Sequence, residues 1–249
     1  MPRYFIEVFY KGTHYSGFQI QRNANSIQAE VESALKIFFR HDFELTGSSR
    51  TDAGVHAMQN FFHVDVDAPF DYTKDFYYNL NALLPQDIGI RKISRVKDDA
   101  HCRFDAVSRK YRYFIYRDKD PFIRETAFYF PYQIDIEKLN AAAAVMMEYQ
   151  DFSAFSKRNT QVNNFLCSIK ESRWYVENNT IVYQVVANRF LRGMVKGLVG
   201  TMLRVGRGGI SLGDFRALIE KGDRSKADFS PPSRGLFLTA VDFPVALFL

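Results

Sequence analysis

The sequence contains few of the residues that stabilise small secreted proteins or build metal centres. Among its 249 residues are two cysteines, Cys102 and Cys167, which lie far apart and show no paired spacing. Disulfides persist mainly in oxidising compartments, and cysteine-based zinc sites use closely spaced pairs. The cysteine content therefore predicts a cytoplasmic chain without structural metal.

Long apolar segments are also missing. No apolar run approaches the roughly 20 residues that a membrane-spanning helix needs, and the opening residues, Met-Pro-Arg-Tyr-Phe, lack the pattern of a signal peptide. Membrane insertion and secretion are therefore disfavoured. With 47% hydrophobic and 24% charged residues, the chain has the composition of a folded globular protein, and its length allows one or two domains.

A modest basic excess and many aromatic residues are present. The chain carries 33 Lys and Arg against 28 Asp and Glu, a formal net charge of +5, and 16% of its residues are aromatic. Several tyrosines alternate with Arg and Lys, and this mixture suits base stacking combined with phosphate pairing. Because a hydrophobic core explains most of the phenylalanines, composition alone favours an RNA partner only slightly.

The hydrophobic pattern of residues 1–107 predicts strand, helix, strand, strand, helix, strand, which is the order of the split βαβ or ferredoxin-like motif. Asn25 and Ser26 are suitable caps for the first helix, and Pro85 stops the second. The predicted elements are a strand at 2–10, a helix at 27–41, strands at 43–46 and 62–66, a helix at 72–83 and a strand at 90–96.

Residues 108–249 resemble a longer variation of the same order. The predicted elements are a strand at 110–116, a helix at 135–149, a hairpin of 169–176 with 181–187, helices at 191–205 and 212–220, and a strand at 236–243. We therefore expect an α+β fold of two ferredoxin-like halves, residues 1–107 and 108–249. The halves are expected to share a mainly antiparallel sheet, with helices on one face and an active-site cleft between them.

One polar connection, residues 47–57, does not have the composition of a simple turn. Eleven ordered polar and small residues between two strands are unusual without a functional role. In an extended backbone Arg50 and Asp52 project from the same face, and a neighbouring Arg would keep Asp52 ionised as a nucleophile or base. For an isolated Arg-x-Asp sequence, an Asx turn with a surface ion pair is the simpler alternative.

Residues 50–57, Arg-Thr-Asp-Ala-Gly-Val-His-Ala, resemble the signature loop of the bacterial tRNA pseudouridine synthase A family. Further stretches that fit this family extend over nearly the whole chain, at 15–21, 108–113, 151–155, 189–196 and 232–236. The resemblance implies two ferredoxin-like halves and a redox-neutral isomerisation of uridine that needs no cofactor. It also implies a homodimer that acts on positions 38, 39 and 40 in the anticodon stem-loop of tRNA.

The same resemblance assigns roles to individual residues. Asp52 corresponds to the catalytic aspartate, which attacks either C6 of uracil or C1′ of the ribose. Arg50 would pair with Asp52 and take the place of the flipped base, Tyr111 would lie against the target uracil, and Lys196 would provide a positive charge near the carboxylate. His56 is expected to hold the turn through a backbone hydrogen bond and not to act as a base.

Other polar and basic residues are candidates for RNA contacts, through hydrogen bonds or through phosphate interactions that weaken with salt. They are Gln19, Gln21, Arg22, Lys157, Arg158, Arg189, Arg192, Arg204 and Arg207. Two departures from the family pattern are Ser49, where Gly is expected, and Lys196, where Arg is the alternative. The rival interpretations are a non-catalytic RNA-binding protein of paired RRM-like halves and a glycosidic hydrolase, although a second carboxylate for hydrolysis is not evident.

Overall fold

The computed structural model describes residues 1–70, 72, 75–157 and 164–249, and it shows a mixed α+β fold. The strands pair mainly in the antiparallel sense, so the predicted fold class and sheet type are confirmed. Within the described ranges, no helix combines the length and apolar character needed to cross a bilayer. The chain divides into two compact units, one of Met1–Val107 with Phe237–Leu249 and one of Ser108–Leu236.

The helices and strands follow one another along the chain with short 3₁₀ turns between some of them. In chain order they are β1 (Arg3–Tyr10), α1 (Ile27–Phe39), β2 (Thr46–Gly47), β3 (His56–Asp65), α2 (Phe76–Ala82), β4 (Ile88–Val96), β5 (Ser108–Tyr116), β6 (Phe128–Tyr129), α3 (Ile136–Val145), β7 (Ile169–Glu177), β8 (Thr180–Ala187), α4 (Met194–Gly206), α5 (Leu212–Glu220) and β9 (Leu236–Asp242). The 3₁₀ turns are Met146–Glu148, Ser153–Phe155, Ser233–Gly235 and Val245–Leu247.

In the first unit, β1 is the central strand. It pairs antiparallel with β4 on one side and with β3 on the other, and β2 pairs antiparallel with β3. Alternate side chains of a strand share one face. The predicted apolar face of β1 is buried, and it consists of Tyr4, Ile6, Val8 and Tyr10. Helix α1 begins where predicted, since the Ser26 side chain accepts a hydrogen bond from the Ala29 amide.

The C-terminal residues pack with the first unit, whereas the sequence placed them in the second half. Strand β9 pairs in parallel with β3, with Ala57 opposite Leu238. The Val107 amide also donates a hydrogen bond to the Asp242 carbonyl at 2.8 Å. Pairing between strands distant in sequence leaves no local signal in either strand. The domain limits 1–107 and 108–249 and the ferredoxin-like character of each half stay predictions.

The second unit contains strands in the order β5-β8-β7, all antiparallel, with β6 parallel to β5. The predicted hairpin between β7 and β8 is confirmed, and its turn residues Asn178 and Asn179 have φ of +47° and +60°. Two consecutive residues with positive φ match the twist of the flanking strands, and Asn tolerates this conformation. Helix α4 is largely buried, including Met194, Leu198 and Met202.

Several predicted elements are shorter in the structure. Of the strand expected at 43–46 only Thr46 lies in a strand, β2, and the helix expected at 72–83 begins only at Phe76. The helix expected at 135–149 ends at Val145 and continues as the 3₁₀ turn Met146–Glu148. Strand β6 was not predicted, because two residues are too few to show alternation.

Candidate active site

Residues 48–55 connect β2 to β3 and carry Arg50 and Asp52. The Val55 amide donates to the Asp52 carbonyl at 3.1 Å, so Asp52 opens a tight turn. Gly54 has a φ of +74° in this turn, a conformation that glycine adopts without strain. The Asp52 side chain is half buried. The turn therefore presents a partly shielded carboxyl group at a defined position.

The backbone of this loop is held by the segment Tyr15–Phe18. The Phe18 amide donates to the Thr51 carbonyl at 3.1 Å, and the Gly54 amide donates to the Tyr15 carbonyl at 3.4 Å. Gly17 has a φ of +117°, and a Cβ there would lie 3.1 Å from the Thr51 carbonyl oxygen. Two stretches that the sequence singled out separately are therefore parts of one structure.

A buried polar network supports the loop from the sheet, and sequence analysis did not identify it. The hydroxyl groups of Tyr10 and Thr51 are hydrogen-bonded at 2.8 Å. The Asn60 side-chain amide donates to the Ser49 carbonyl at 2.9 Å and to the Tyr10 hydroxyl at 3.2 Å. The available signal was Asn60 itself, because a polar side chain inside an apolar strand needs hydrogen-bond partners.

His56 holds the start of β3, as predicted. Its Nδ1 accepts a hydrogen bond from the Gly12 amide at 3.2 Å, and its ring stacks on Phe237 with centroids 4.5 Å apart. A Cβ at Gly12 would lie 2.0 Å from the Val55 carbonyl oxygen, so only glycine permits this approach of the two backbones. The expected structural role of His56 is therefore confirmed.

The structure differs from the expected pairing of Arg50 with Asp52. Both residues lie in the described part of the chain, where the ion pairs do not include one between them. Arg50 is exposed and Asp52 is half buried. An exposed Arg gains little free energy from such an ion pair in water, so the i, i+2 spacing does not by itself enforce the pair.

Tyr111 and Lys196 belong to the second unit. Tyr111 lies on β5 opposite Val185, is 9% exposed, and meets Phe190 edge to face with ring centroids 5.0 Å apart. Lys196 is half buried in the first turn of α4. A positive charge in the first turn of a helix lies near the positive end of the helix dipole, which is electrostatically unfavourable. A bound anion at this helix end compensates for the repulsion.

Further basic residues lie close to the first turn of α4. The Lys157 amide donates to the Arg192 carbonyl at 3.0 Å, and the Lys157 side chain packs over Gly193, where a Cβ would meet its Cγ at 2.9 Å. Arg189 is half buried and Arg192 is exposed. This end of the helix therefore concentrates positive charge on one short stretch of the surface.

The remaining RNA-contact candidates are spread over both units. Gln19, Gln21 and Arg22 are exposed, and the Gln21 side chain donates to the Ser16 carbonyl at 3.0 Å. Arg204 donates to the Lys226 carbonyl at 2.9 Å, and Arg207 lies 4.0 Å from the centre of the Tyr132 ring. Arg158 lies outside the described residues.

The sequence matches a known class of RNA-modifying isomerases. A family model described as tRNA pseudouridine synthase matches residues 8–105 and 144–244, which include Arg50, Asp52 and Lys196, while Tyr111 lies between the two matched segments. The chain therefore belongs to the tRNA pseudouridine synthase family, whose members are isomerases.

Individual relatives resemble the chain over its full length. It is 46% identical to the tRNA pseudouridine synthase A of Bacteroides fragilis, covering 100% of this chain and 99% of the relative. It is 44% identical to the protein of that name from Porphyromonas gingivalis, with 100% of both chains covered. The Staphylococcus saprophyticus relative of that name is 36% identical, covering 96% of this chain and 90% of the relative.

Proposed function

We propose that this protein converts uridine to pseudouridine at positions 38, 39 and 40 in the anticodon stem-loop of tRNA, with Asp52 as the nucleophile. The observation that carries the proposal is the half-buried Asp52 carboxyl group in a turn whose backbone is held by Tyr15 and Phe18. A reacting group needs such a defined position to meet its target atom. Membership of the family supports the same reaction.

The reaction rearranges bonds without loss of any group. The N1–C1′ bond breaks, the uracil turns, C5 bonds to C1′, the C5 proton leaves and N1 gains a proton. Two first steps suit a carboxylate at position 52, namely attack on C6 of uracil or assistance of bond cleavage at C1′. In the C6 route the C6–O bond to Asp52 breaks as the C5 proton leaves and the C5=C6 double bond returns; in the C1′ route the carboxylate is released when C5 bonds to C1′.

Arg50, Tyr111 and Lys196 are proposed to bind the tRNA substrate. Exposed Arg50 is available to occupy the space of an everted base, since the structure does not pair it with Asp52. Eversion of a base costs a few kcal/mol, and stacking on a tyrosine such as Tyr111 recovers part of that energy. Lys196, together with Lys157 and Arg192, lies on a surface suited to phosphate.

We further propose that the protein is a cytoplasmic homodimer. The resemblance to the tRNA pseudouridine synthase A family supports the dimer, and tRNA is processed in the bacterial cytoplasm. Light scattering of the purified protein measures the oligomeric state directly. A mass of one chain at micromolar concentration would contradict the dimer.

Replacement of Asp52 by Asn tests the proposed nucleophile. Asn keeps the size of the side chain but removes its charge and nucleophilicity, so we expect the single-turnover rate to fall by about 10³-fold or more. The rate is measured as tritium release from tRNA labelled at C5 of uridine. Binding of tRNA by the variant is expected to stay within about threefold of the wild type, because phosphate is bound by basic side chains and not by a carboxyl group.

Asp67→Asn is the matched control, because Asp67 is exposed and lies just beyond the end of β3. It should retain the wild-type rate. Turnover by Asp52→Asn close to that of the control would refute the role of Asp52. Wild-type protein that binds tRNA and forms no pseudouridine would instead support the non-catalytic RNA-binding alternative.

A further inference from the structure

Two histidines and a cysteine meet beside β3, apart from the loop of residues 48–55. His63 lies on β3, and His101 and Cys102 lie in the turn that follows β4. One ligand atom from each of the three side chains lies within 4.8 Å of the other two. Among the His, Cys, Asp and Glu residues that the structure describes, these three form the one group close enough together to hold a metal ion.

We propose that His63, His101 and Cys102 form a binding site for one zinc ion. Imidazole nitrogens and a thiolate are ligands that zinc prefers, and three protein ligands leave a fourth tetrahedral position for water. Cys102 and His63 are buried and His101 is half buried. His101 is therefore the member of the cluster most accessible to solvent.

The distance between two of the proposed ligands is close to that of a zinc site. His63 Nδ1 lies 3.3 Å from Cys102 Sγ. Two ligands at zinc distances of about 2.1 and 2.3 Å and a tetrahedral angle lie roughly 3.6 Å apart. A shift of a few tenths of an ångström therefore converts the observed contact into a shared metal bond. Zinc at Nδ1 replaces the hydrogen bond that this nitrogen accepts from the Cys102 amide at 3.3 Å.

Zinc binding also replaces a thiol hydrogen bond. The Cys102 thiol donates to the Thr46 carbonyl at 3.1 Å. When the zinc–sulfur bond forms, the thiol proton passes to water and the sulfur binds as a thiolate. No electron is transferred in this step. The Thr46 carbonyl is left beside the zinc-bound sulfur at the start of β2.

The turn that carries His101 and Cys102 is held in place independently of any ion. Asp105 accepts a hydrogen bond from the His101 amide at 2.7 Å, and its own amide donates to the His101 carbonyl at 3.0 Å. His101 Nδ1 accepts a hydrogen bond from the Arg103 amide at 3.1 Å. A metal bond at this nitrogen would replace that hydrogen bond and leave the backbone contacts of the turn in place. Backbone support of this kind positions a metal-binding histidine before the metal arrives.

Charge at the site is compatible with a divalent cation. The nearby Arg3 makes two hydrogen bonds to the Asp65 carboxylate, each at 2.7 Å, so its positive charge is balanced. Arg3 also donates to the Ala100 carbonyl at 2.9 Å, which ties the turn to β1. The Cys102 thiolate then offsets one of the two charges of zinc.

The position of the site suggests a stabilising role. Thr46 of β2 lies opposite His63 of β3, and β2 leads directly into the loop that carries Asp52. Zinc would therefore link the turn after β4 to β3, the strand that follows this loop. We expect zinc to raise the melting temperature and to leave the chemistry at Asp52 unchanged.

Cobalt and zinc titrations of the full-length protein test the proposal. After removal of metal by a chelator, Co²⁺ should bind with one ion per chain and produce a near-ultraviolet thiolate-to-cobalt charge-transfer band, which Zn²⁺ then abolishes. The Cys102→Ser variant should lose the band. The His101→Ala variant should bind Zn²⁺ at least tenfold more weakly and should show no rise in Tm with zinc. His101 is half buried, so this variant is expected to fold.

Two matched controls separate the proposed ligands from other residues of the same type. His41→Ala removes an exposed histidine, and Cys167→Ser removes the other buried cysteine. Both should bind both metals like the wild type. The proposal is overturned if the wild type binds no stoichiometric metal, if no charge-transfer band appears, or if His101→Ala binds zinc as tightly as His41→Ala.

Discussion

The loop of residues 48–55 and the cluster of His63, His101 and Cys102 both adjoin β3, but they are built in different ways. The loop is one continuous stretch of chain, and its backbone is held by hydrogen bonds from Phe18 and Asn60. The side chains of the cluster come from two distant parts of the chain, and His63 contacts both Cys102 and His101. Placement of Asp52 therefore depends on hydrogen bonds to the backbone of one loop, whereas the cluster depends on bringing together β3 and a separate turn that Asp105 holds.

Among the replacements that test this difference, Gly12→Ala should have the largest effect on stability and on activity. The new Cβ would lie 2.0 Å from the Val55 carbonyl oxygen, so the backbone next to the Asp52 turn must move. We expect a loss of about 3 kcal/mol in the free energy of unfolding, at the upper end of overpacking costs. The rate of pseudouridine formation should fall at least tenfold. Urea unfolding and tritium release measure the two effects.

Gly213→Ala is the control for this substitution. Gly213 lies in α5, and the nearest atom to its Cβ would be Ser211 Oγ at an ordinary 3.6 Å. Because Ala favours the helix over Gly, the control should be about 0.5–1 kcal/mol more stable than the wild type. If the two variants were equally stable, the backbone contact at Gly12 would not be too close for a side chain, which would contradict the prediction.

The replacement Asn60→Leu should have an intermediate effect. It removes the donor to the Ser49 carbonyl and the Tyr10 hydroxyl, and it leaves these buried acceptors without that partner. We expect a loss of about 2 kcal/mol in the free energy of unfolding. The kcat should fall by a larger factor than the KM rises. The loop that carries Asp52 loses a support, whereas the basic residues proposed to bind tRNA are unchanged. An unchanged kcat in a folded Asn60→Leu protein would show that the network does not position the loop.

The smallest effect is expected for His101→Ala in metal-free protein. The half-buried ring loses its hydrogen bond with the Arg103 amide, while the backbone of the turn stays held by Asp105. The free energy of unfolding should change by about 0.5 kcal/mol or less, and kcat should stay at the wild-type value. A large loss of kcat without zinc would mean that the cluster and the loop are coupled, which would remove the distinction between them.

Much of the fold could be predicted from local patterns. The alternation of Tyr4, Ile6, Val8 and Tyr10 predicted a strand, and all four side chains are buried in β1. The hairpin at Asn178 and Asn179 was predicted because its turn residues and flanking strands are adjacent in sequence. The short strands β2 and β6 were the hardest elements to predict, since two residues are too few to show the alternation of a strand.

Less of the candidate site could be predicted. Residues 50–57 were recognisable because they are contiguous, and the role of His56 followed from its place in the turn. The expected ion pair of Arg50 with Asp52 is not among those of the described residues, because an exposed Arg gains little free energy from such a pair in water. Tyr10 and Asn60 were missed as loop supports, since each appears only as one residue in a strand.

By itself, the sequence determined the α+β class, the polar loop with Asp52 and the family resemblance, because periodicity and short motifs are properties of neighbouring residues. Only the tertiary structure decided that Phe237–Leu249 packs with the first unit, that Asn60 supports the loop, and that His63 lies beside Cys102. These relations depend on which strands pair and in which register. Strand pairing joins residues that are distant along the chain, and no local propensity specifies it.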